Sequence, residues 1–125
     1  MMQCRVLIAD DHPRSRHGLR VVLDLRAEIM VVGEAEDGRE AVQLVGELCP
    51  DLVLMDARMP VMDGLEATRL IKAQWPEVRI VVLSIDAGSQ AEAQAAGADA
   101  FLVKGCSAEE ILVAVRNTRR RNTNE

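Results

Sequence analysis

Five short apolar runs alternate along the chain with longer stretches whose apolar residues recur every three or four positions. The runs are RVLIA (5–9), MVVGEA (30–35), LVLMD (52–56), RIVVLS (79–84) and FLVK (101–104). Three of them are nearly continuous Val, Ile and Leu, which predicts strands covered on both faces. Between them the pattern predicts helices. Pro13 opens the first, with Leu19, Val22 and Leu23 at helical spacing. The second runs from about Arg39 to Leu48, turns Ala41, Val42, Leu44, Val45 and Leu48 inward, and stops before Pro50. A third starts near Asp63 or Gly64 and ends before Pro76, carrying Leu65, Thr68, Ile71 and Lys72. The fourth, SQAEAQAA, is short and closed by Gly97. Ser107, with Glu110 three residues on, forms a capping box for the fifth, which buries Ile111, Leu112 and Val115.

Five βα units in succession require a parallel sheet with right-handed crossovers and helices on both faces. No repeat or internal linker interrupts them, and only RRRNTNE at the end reads as a frayed tail or the start of a linker.

Composition narrows the function classes. The 125 residues suffice for one core and no more. Twenty acids against 15 Lys and Arg leave a net charge of −5, which argues against the body of the domain gripping nucleic acid or an anionic membrane. Arg116, Arg119, Arg120 and Arg121 read as a solvated helix end matched to the helix dipole rather than a DNA contact. The chain enters its first strand without a secretory signal, and no apolar run approaches the length of a membrane span. Cys4, Cys49 and Cys106 form no metal-binding spacing and suggest a reducing compartment, the cytoplasm.

The polar residues that end the strands carry the chemistry. Strand one ends in Asp10 and Asp11, strand three in Asp56, strand four in Ser84 and strand five in Lys104. All five belong to the carboxyl edge, where open α/β sheets bind ligands. Three clustered carboxylates repel one another, and a hard divalent cation relieves that cost. Oxygen ligation suits Mg²⁺ or Mn²⁺, and Mg²⁺ is the expected ion. A cation, an ammonium group and a hydroxyl around one carboxylate make a site for a phosphoryl group, with Asp56 as nucleophile. His12 follows the two acids, but alternation along an extended chain is expected to turn it away from them, and a hard cation does not need it.

VLIADDHPRSRHGLR, VVGEAEDGREAV, PDLVLMDARMPVMDGLEATRLI, RIVVLS and AGADAFLVKG together resemble the receiver domain of bacterial two-component response regulators. The likeness is greatest to the NarL/LuxR type, whose receivers precede a helix-turn-helix DNA-binding domain. It covers about residues 4–120, leaving 121–125 as tail or linker. It implies a flavodoxin-like, doubly wound five-stranded parallel sheet of order 2-1-3-4-5 with five helices. It also implies Asp56 as phosphoacceptor, and Mg²⁺ bound by Asp11, Asp56 and the backbone carbonyl of Arg58, with Asp10 acting mainly through water. Lys104 would bind phosphoryl oxygens, and Ser84 and Phe101 would form a switch pair. The phosphodonor would be a histidine kinase or a small acyl phosphate. A homodimer is a further partner, and DNA would be met only through an output domain outside this chain. No membrane partner is implied.

Two features depart from the pattern. The interval from Ser84 to Lys104 is about two residues short, near IDAGSQ, which puts the geometry of the fourth helix in question. Ile85 stands where a small residue is more usual and could crowd the site. Arg58 and Asp86, each two residues beyond a site residue, are expected to rim the mouth with Ile85 and to be placed to pair across it. Two alternatives stay open. One is a receiver that acts as a binding module without taking phosphate. The other is a Mg²⁺-dependent phosphatase of the haloacid dehalogenase type, which would place a second acid two residues after the nucleophile, where this chain has Arg58.

Overall fold

The structure is a computed structural model that describes residues 3–123, with side chains described through Thr118. Five strands, β1 (Cys4–Ala9), β2 (Ile29–Ala35), β3 (Leu52–Asp56), β4 (Arg79–Ser84) and β5 (Ala100–Val103), pair in parallel in the order β2-β1-β3-β4-β5. The helices are α1 (Pro13–Leu23), α2 (Gly38–Leu48), α3 (Gly64–Gln74), α4 (Gln90–Ala96) and α5 (Ala108–Thr123). This is the flavodoxin-like fold that the sequence predicts. The side chains of Arg119, Arg120 and Arg121, and residues 124 and 125 of the expected tail, lie outside the described residues.

Alternation along each central strand divides the apolar residues between two cores. Leu7, Val53, Met55, Ile80 and Val82 face Ala41 and Val45 of α2, Ala67 and Ile71 of α3, and Ala93 of α4. Val6, Ile8, Leu52, Leu54, Val81 and Leu83 face Leu19 and Leu23 of α1 and Ile111, Ala114 and Val115 of α5. That is why the middles of these strands are apolar at successive positions: neither face reaches water. Each large side chain so buried stabilises the fold by about 2 kcal/mol, so a charge is tolerable only at a strand tip. Leu112, predicted among the buried residues of α5, is only partly buried against this second core.

Helix starts follow local chemistry. Asp37 and Asp63 accept from the N–H groups of Glu40 and Glu66 at 2.8 Å. Ser107 Oγ accepts from the Glu110 N–H at 3.1 Å, while Glu110 Oε1 accepts from the Ser107 N–H at 3.0 Å, which completes the predicted capping box. The short interval before Lys104 is taken up by a single 3₁₀ turn (Ala87–Ser89) that leads into the seven-residue α4.

Two close approaches shape the loop after β3. A Cβ on Gly64 would fall 1.9 Å from the Asp56 carbonyl oxygen, and one on Gly38 would fall 2.2 Å from that of Met62. Bare backbone therefore lets the starts of α3 and α2 press against the segment behind Asp56. Within that segment Val61 adopts φ 69°, and the Met62 N–H donates to the Pro60 carbonyl at 2.7 Å. A β-branched residue at the centre of so tight a turn costs of order 1–3 kcal/mol, which the surrounding packing sustains.

Candidate functional site at the carboxyl edge of the sheet

Parity places the charged groups. Asp10, Asp56 and Lys104 follow the alternation of Ile8, Leu54 and Leu102, so all three incline toward the α1–α5 side. Ser84 follows Ile80 and Val82 on the opposite face, the one against which Phe101 packs. Lys104 sits one residue beyond β5 rather than within it, where its N–H donates to the Ser84 carbonyl at 2.8 Å.

Lys104 Nζ donates to Asp10 Oδ2 at 2.9 Å and lies 3.4 Å from Asp56 Oδ2. Asp10 is fully buried; its Oδ1 accepts from the His12 N–H at 2.9 Å. Burial pushes the Asp10 carboxyl toward higher pKa, but the His12 N–H and the Lys104 ammonium outweigh it and hold the group below the usual carboxylate range. Asp56 is also buried and less well served. Burial raises its pKa, Lys104 only partly offsets this, and the Asp10 charge adds to the rise. Its remaining contact is the Arg58 N–H, 3.5 Å from Oδ1. Burial alone would lower the Lys104 pKa, yet its two carboxylate partners raise it, so the ammonium stays charged.

Asp11 supplies the test of the expected ion. Its Oδ1 is shielded from solvent and has no hydrogen-bond partner. Ligand atoms of Asp10, Asp11, His12 and Asp56 all lie within 4.8 Å of one another. Three carboxylates, one with a buried oxygen that makes no hydrogen bond, fit a hard divalent cation.

Several expectations change here. His12 is not turned away from the acids: Nδ1 lies 3.2 Å from Asp11 Oδ1 and 3.4 Å from Asp10 Oδ1. Strand alternation ends at Ala9, and the turn closed by the His12 N–H on Asp10 brings the ring back. Ile85 is 79% exposed and points into solvent rather than crowding the site. Arg58 is exposed, and among the described residues no ion pair joins it to Asp86. Asp86 instead accepts from the Gly88 N–H at 2.9 Å to cap the 3₁₀ turn, while its own N–H donates to Ser84 Oγ at 3.1 Å.

Two supporting residues escape sequence reasoning. Arg16 Nη1 donates to the Asp10 carbonyl at 2.6 Å, and its Nε donates to Glu34 Oε1 at 3.0 Å, tying the tip of β1 to α1 and β2. Ser15 Oγ lies 3.5 Å from Lys104 Nζ. Their only sequence signal is position: each falls in the first turn of α1, next to the acid pair.

With this geometry in place, comparison with known proteins is informative. Residues 6–116 match the family described as the response regulator receiver domain. The response regulator protein VraR of Staphylococcus aureus is 41% identical over 121 residues, which are 95% of this chain and 58% of that protein. The chain thus spans somewhat over half the length of the curated relatives it matches. The response regulator domain of Thermotoga maritima CheB superposes with a TM-score of 0.87 at 34% identity, covering 94% of this chain and 97% of that one. The signal receiver domain of the putative response regulator NarL from Mycobacterium tuberculosis gives 0.87 at 31% identity, with both chains covered in full.

Proposed function

Because this chain belongs to the response regulator receiver domains, we propose that Asp56 is its phosphoacceptor and that phosphate there switches an output surface. The observation that carries this reading is the bridge of Lys104 Nζ between the buried carboxylates of Asp10 and Asp56. The donor is a histidine kinase or a small acyl phosphate. An Asp56 oxygen attacks the phosphorus atom; the bond to the donor's imidazole nitrogen or acyl oxygen breaks, and its electrons leave with that group. Lys104 need only lean from Asp10 toward Asp56 to meet the incoming phosphoryl oxygens. Asp11 and Asp56, the Arg58 carbonyl, and Asp10 through water would hold Mg²⁺, which would neutralise charge developing on those oxygens.

The domain is a signalling module rather than a classical enzyme, and loss of its phosphate by autodephosphorylation belongs to this proposal. The exposed Arg58, Ile85 and Asp86 line the path by which water would arrive. Likeness to VraR and to LuxR-family structures supports transcriptional output through a DNA-binding domain outside this chain. Phosphorylation by a histidine kinase would be a cytoplasmic reaction, and that is the compartment this reading assigns. Among the described residues no helix is long and apolar enough to cross a membrane.

The test is intact-mass analysis after incubation with acetyl phosphate and Mg²⁺. One phospho-adduct is expected on the wild-type chain and none on Asp56→Asn; an adduct that persists in the variant overturns the assignment. The switch is read separately. Phosphate on Asp56 would draw the Ser84 hydroxyl toward it, freeing space on the face that Phe101 shares. Phe101 has no hydroxyl to hold it in either position, so both rotamers are expected before phosphorylation. Aromatic and methyl NMR with and without beryllofluoride should show Phe101 and its neighbours shifting. Identical spectra would mean that the domain does not signal through this pair.

A further inference from the structure

His12 is the group at the site for which the phosphoacceptor reading has no use. It stands at the N-cap of α1, yet its side chain makes no capping hydrogen bond. At the corresponding positions of α2 and α3, Asp37 and Asp63 turn back to accept from backbone N–H groups. His12 is 69% exposed and has solvent available to it, but it turns Nδ1 onto the acid pair. The separations of 3.2 and 3.4 Å from two carboxylate oxygens are close to the roughly 3 Å between neighbouring ligands of a divalent ion with bonds of about 2.1 Å. The 4.8 Å span of the full donor set needs to tighten by only about half an ångström for opposite ligands to meet the same ion. The donors are therefore not all oxygen: three carboxylates and one imidazole converge.

We propose that His12 is a nitrogen ligand of this cation site and tilts its selectivity from Mg²⁺ toward borderline divalent ions such as Mn²⁺, Co²⁺ or Zn²⁺. The physical basis is donor softness. Carboxylates, carbonyls and water suit Mg²⁺, whereas an imidazole adds affinity mainly for first-row transition ions. A chain carrying this His would load such an ion at concentrations where an all-oxygen site still holds Mg²⁺. Its phosphorylation would then respond to which metal is abundant as well as to its kinase. The inference rests on the cation-site reading above and adds one ligand to it.

Calorimetric titration of the 125-residue chain with Co²⁺ and with Mg²⁺, for wild type, His12→Ala and Asp11→Asn, tests it. In His12→Ala the ratio of Co²⁺ to Mg²⁺ affinity should fall at least about tenfold. Asp11→Asn should weaken both ions together. Pulsed EPR of the Mn²⁺-loaded chain should show a coupled nitrogen that disappears in His12→Ala, a signature that a purely structural role for the ring would not produce. An unchanged affinity ratio, or no nitrogen coupling in the wild type, overturns the role of His12 and leaves the carboxylate site standing. Failure of the wild type to bind either ion overturns both.

Discussion

At the amino end of the sheet Asp99, just ahead of β5, sits between two cations: Lys72 Nζ is 3.2 Å from its Oδ2 and Arg79 Nη1 is 3.7 Å from its Oδ1. The Ile80 N–H donates to the same carboxylate at 2.9 Å, and Lys72 also donates to the carbonyls of Val78 and Pro76 at 2.9 and 3.0 Å. At the carboxyl end Asp10 and Asp56 share a single lysine, and the Asp11 Oδ1, which makes no hydrogen bond, faces the His12 ring at 3.2 Å. Both clusters are largely buried, so burial alone does not separate structural from functional charge. Balance does. At the amino end cations offset the Asp99 carboxylate and both of its oxygens are engaged, which holds β4, β5 and the end of α3 together. The carboxyl end keeps an excess of negative charge, which is poor architecture and a good cation and phosphoryl site.

The largest effect should come from the balanced end. Asp99→Ala takes the carboxylate away from two largely buried cations and from the Ile80 N–H, and should destabilise the fold by about 3 kcal/mol in urea denaturation. A loss below about 1 kcal/mol would mean that this end is not the structural one. Removing an acid from the other end should act in the opposite sense. In EDTA, Asp11→Asn relieves repulsion and should raise stability by up to about 1 kcal/mol, a few degrees in Tm for a domain of this size. The same substitution should abolish the rise in Tm that Mg²⁺ gives the wild type. A destabilised variant, or one that keeps its Mg²⁺ response, would break the contrast.

The smallest effect maps where the imbalance stops. Glu34, near the carboxyl end of β2, is clasped by Arg20 Nη1 at 2.6 Å and Arg16 Nε at 3.0 Å. Burial would raise its pKa, but the two guanidinium groups outweigh it and hold it below the usual carboxylate range. A carboxyl depressed in the folded state adds stability above its unfolded pKa and loses it as pH falls through the folded one. Glu34→Gln should therefore cost under about 1 kcal/mol at pH near 7 and nothing once pH falls below the folded pKa. The pH dependence of the urea midpoint reads this directly. A gap between wild type and variant that widens in acid would show that Glu34 belongs to the unbalanced cluster.

Much of this was legible in the chain itself. The apolar runs and their helical spacers dictated the layers. The order of the strands implied that Asp10, Asp11, Asp56, Ser84 and Lys104 meet at the carboxyl edge of the sheet. Local signals as short as Ser107 with Glu110 named a helix start, because capping partners lie three residues apart and need no tertiary context. The carboxylates at strand tips were legible because a parallel strand buried on both faces can carry charge nowhere else. What sequence could not supply depended on turns and on rotamers chosen by distant neighbours. Lys104 approaches Asp10 more closely than Asp56, Asp86 caps a turn instead of meeting Arg58, and Arg16 reaches back to the Asp10 carbonyl. His12 is the sharpest case. It lies three residues beyond Ala9, where strand alternation no longer applies, and the turn closed by its N–H on Asp10 sets the direction of the ring. Periodicity fixes which face a residue occupies within an element; the path of the chain between elements, and hence what a side chain at a loop finally touches, is decided only when the elements pack.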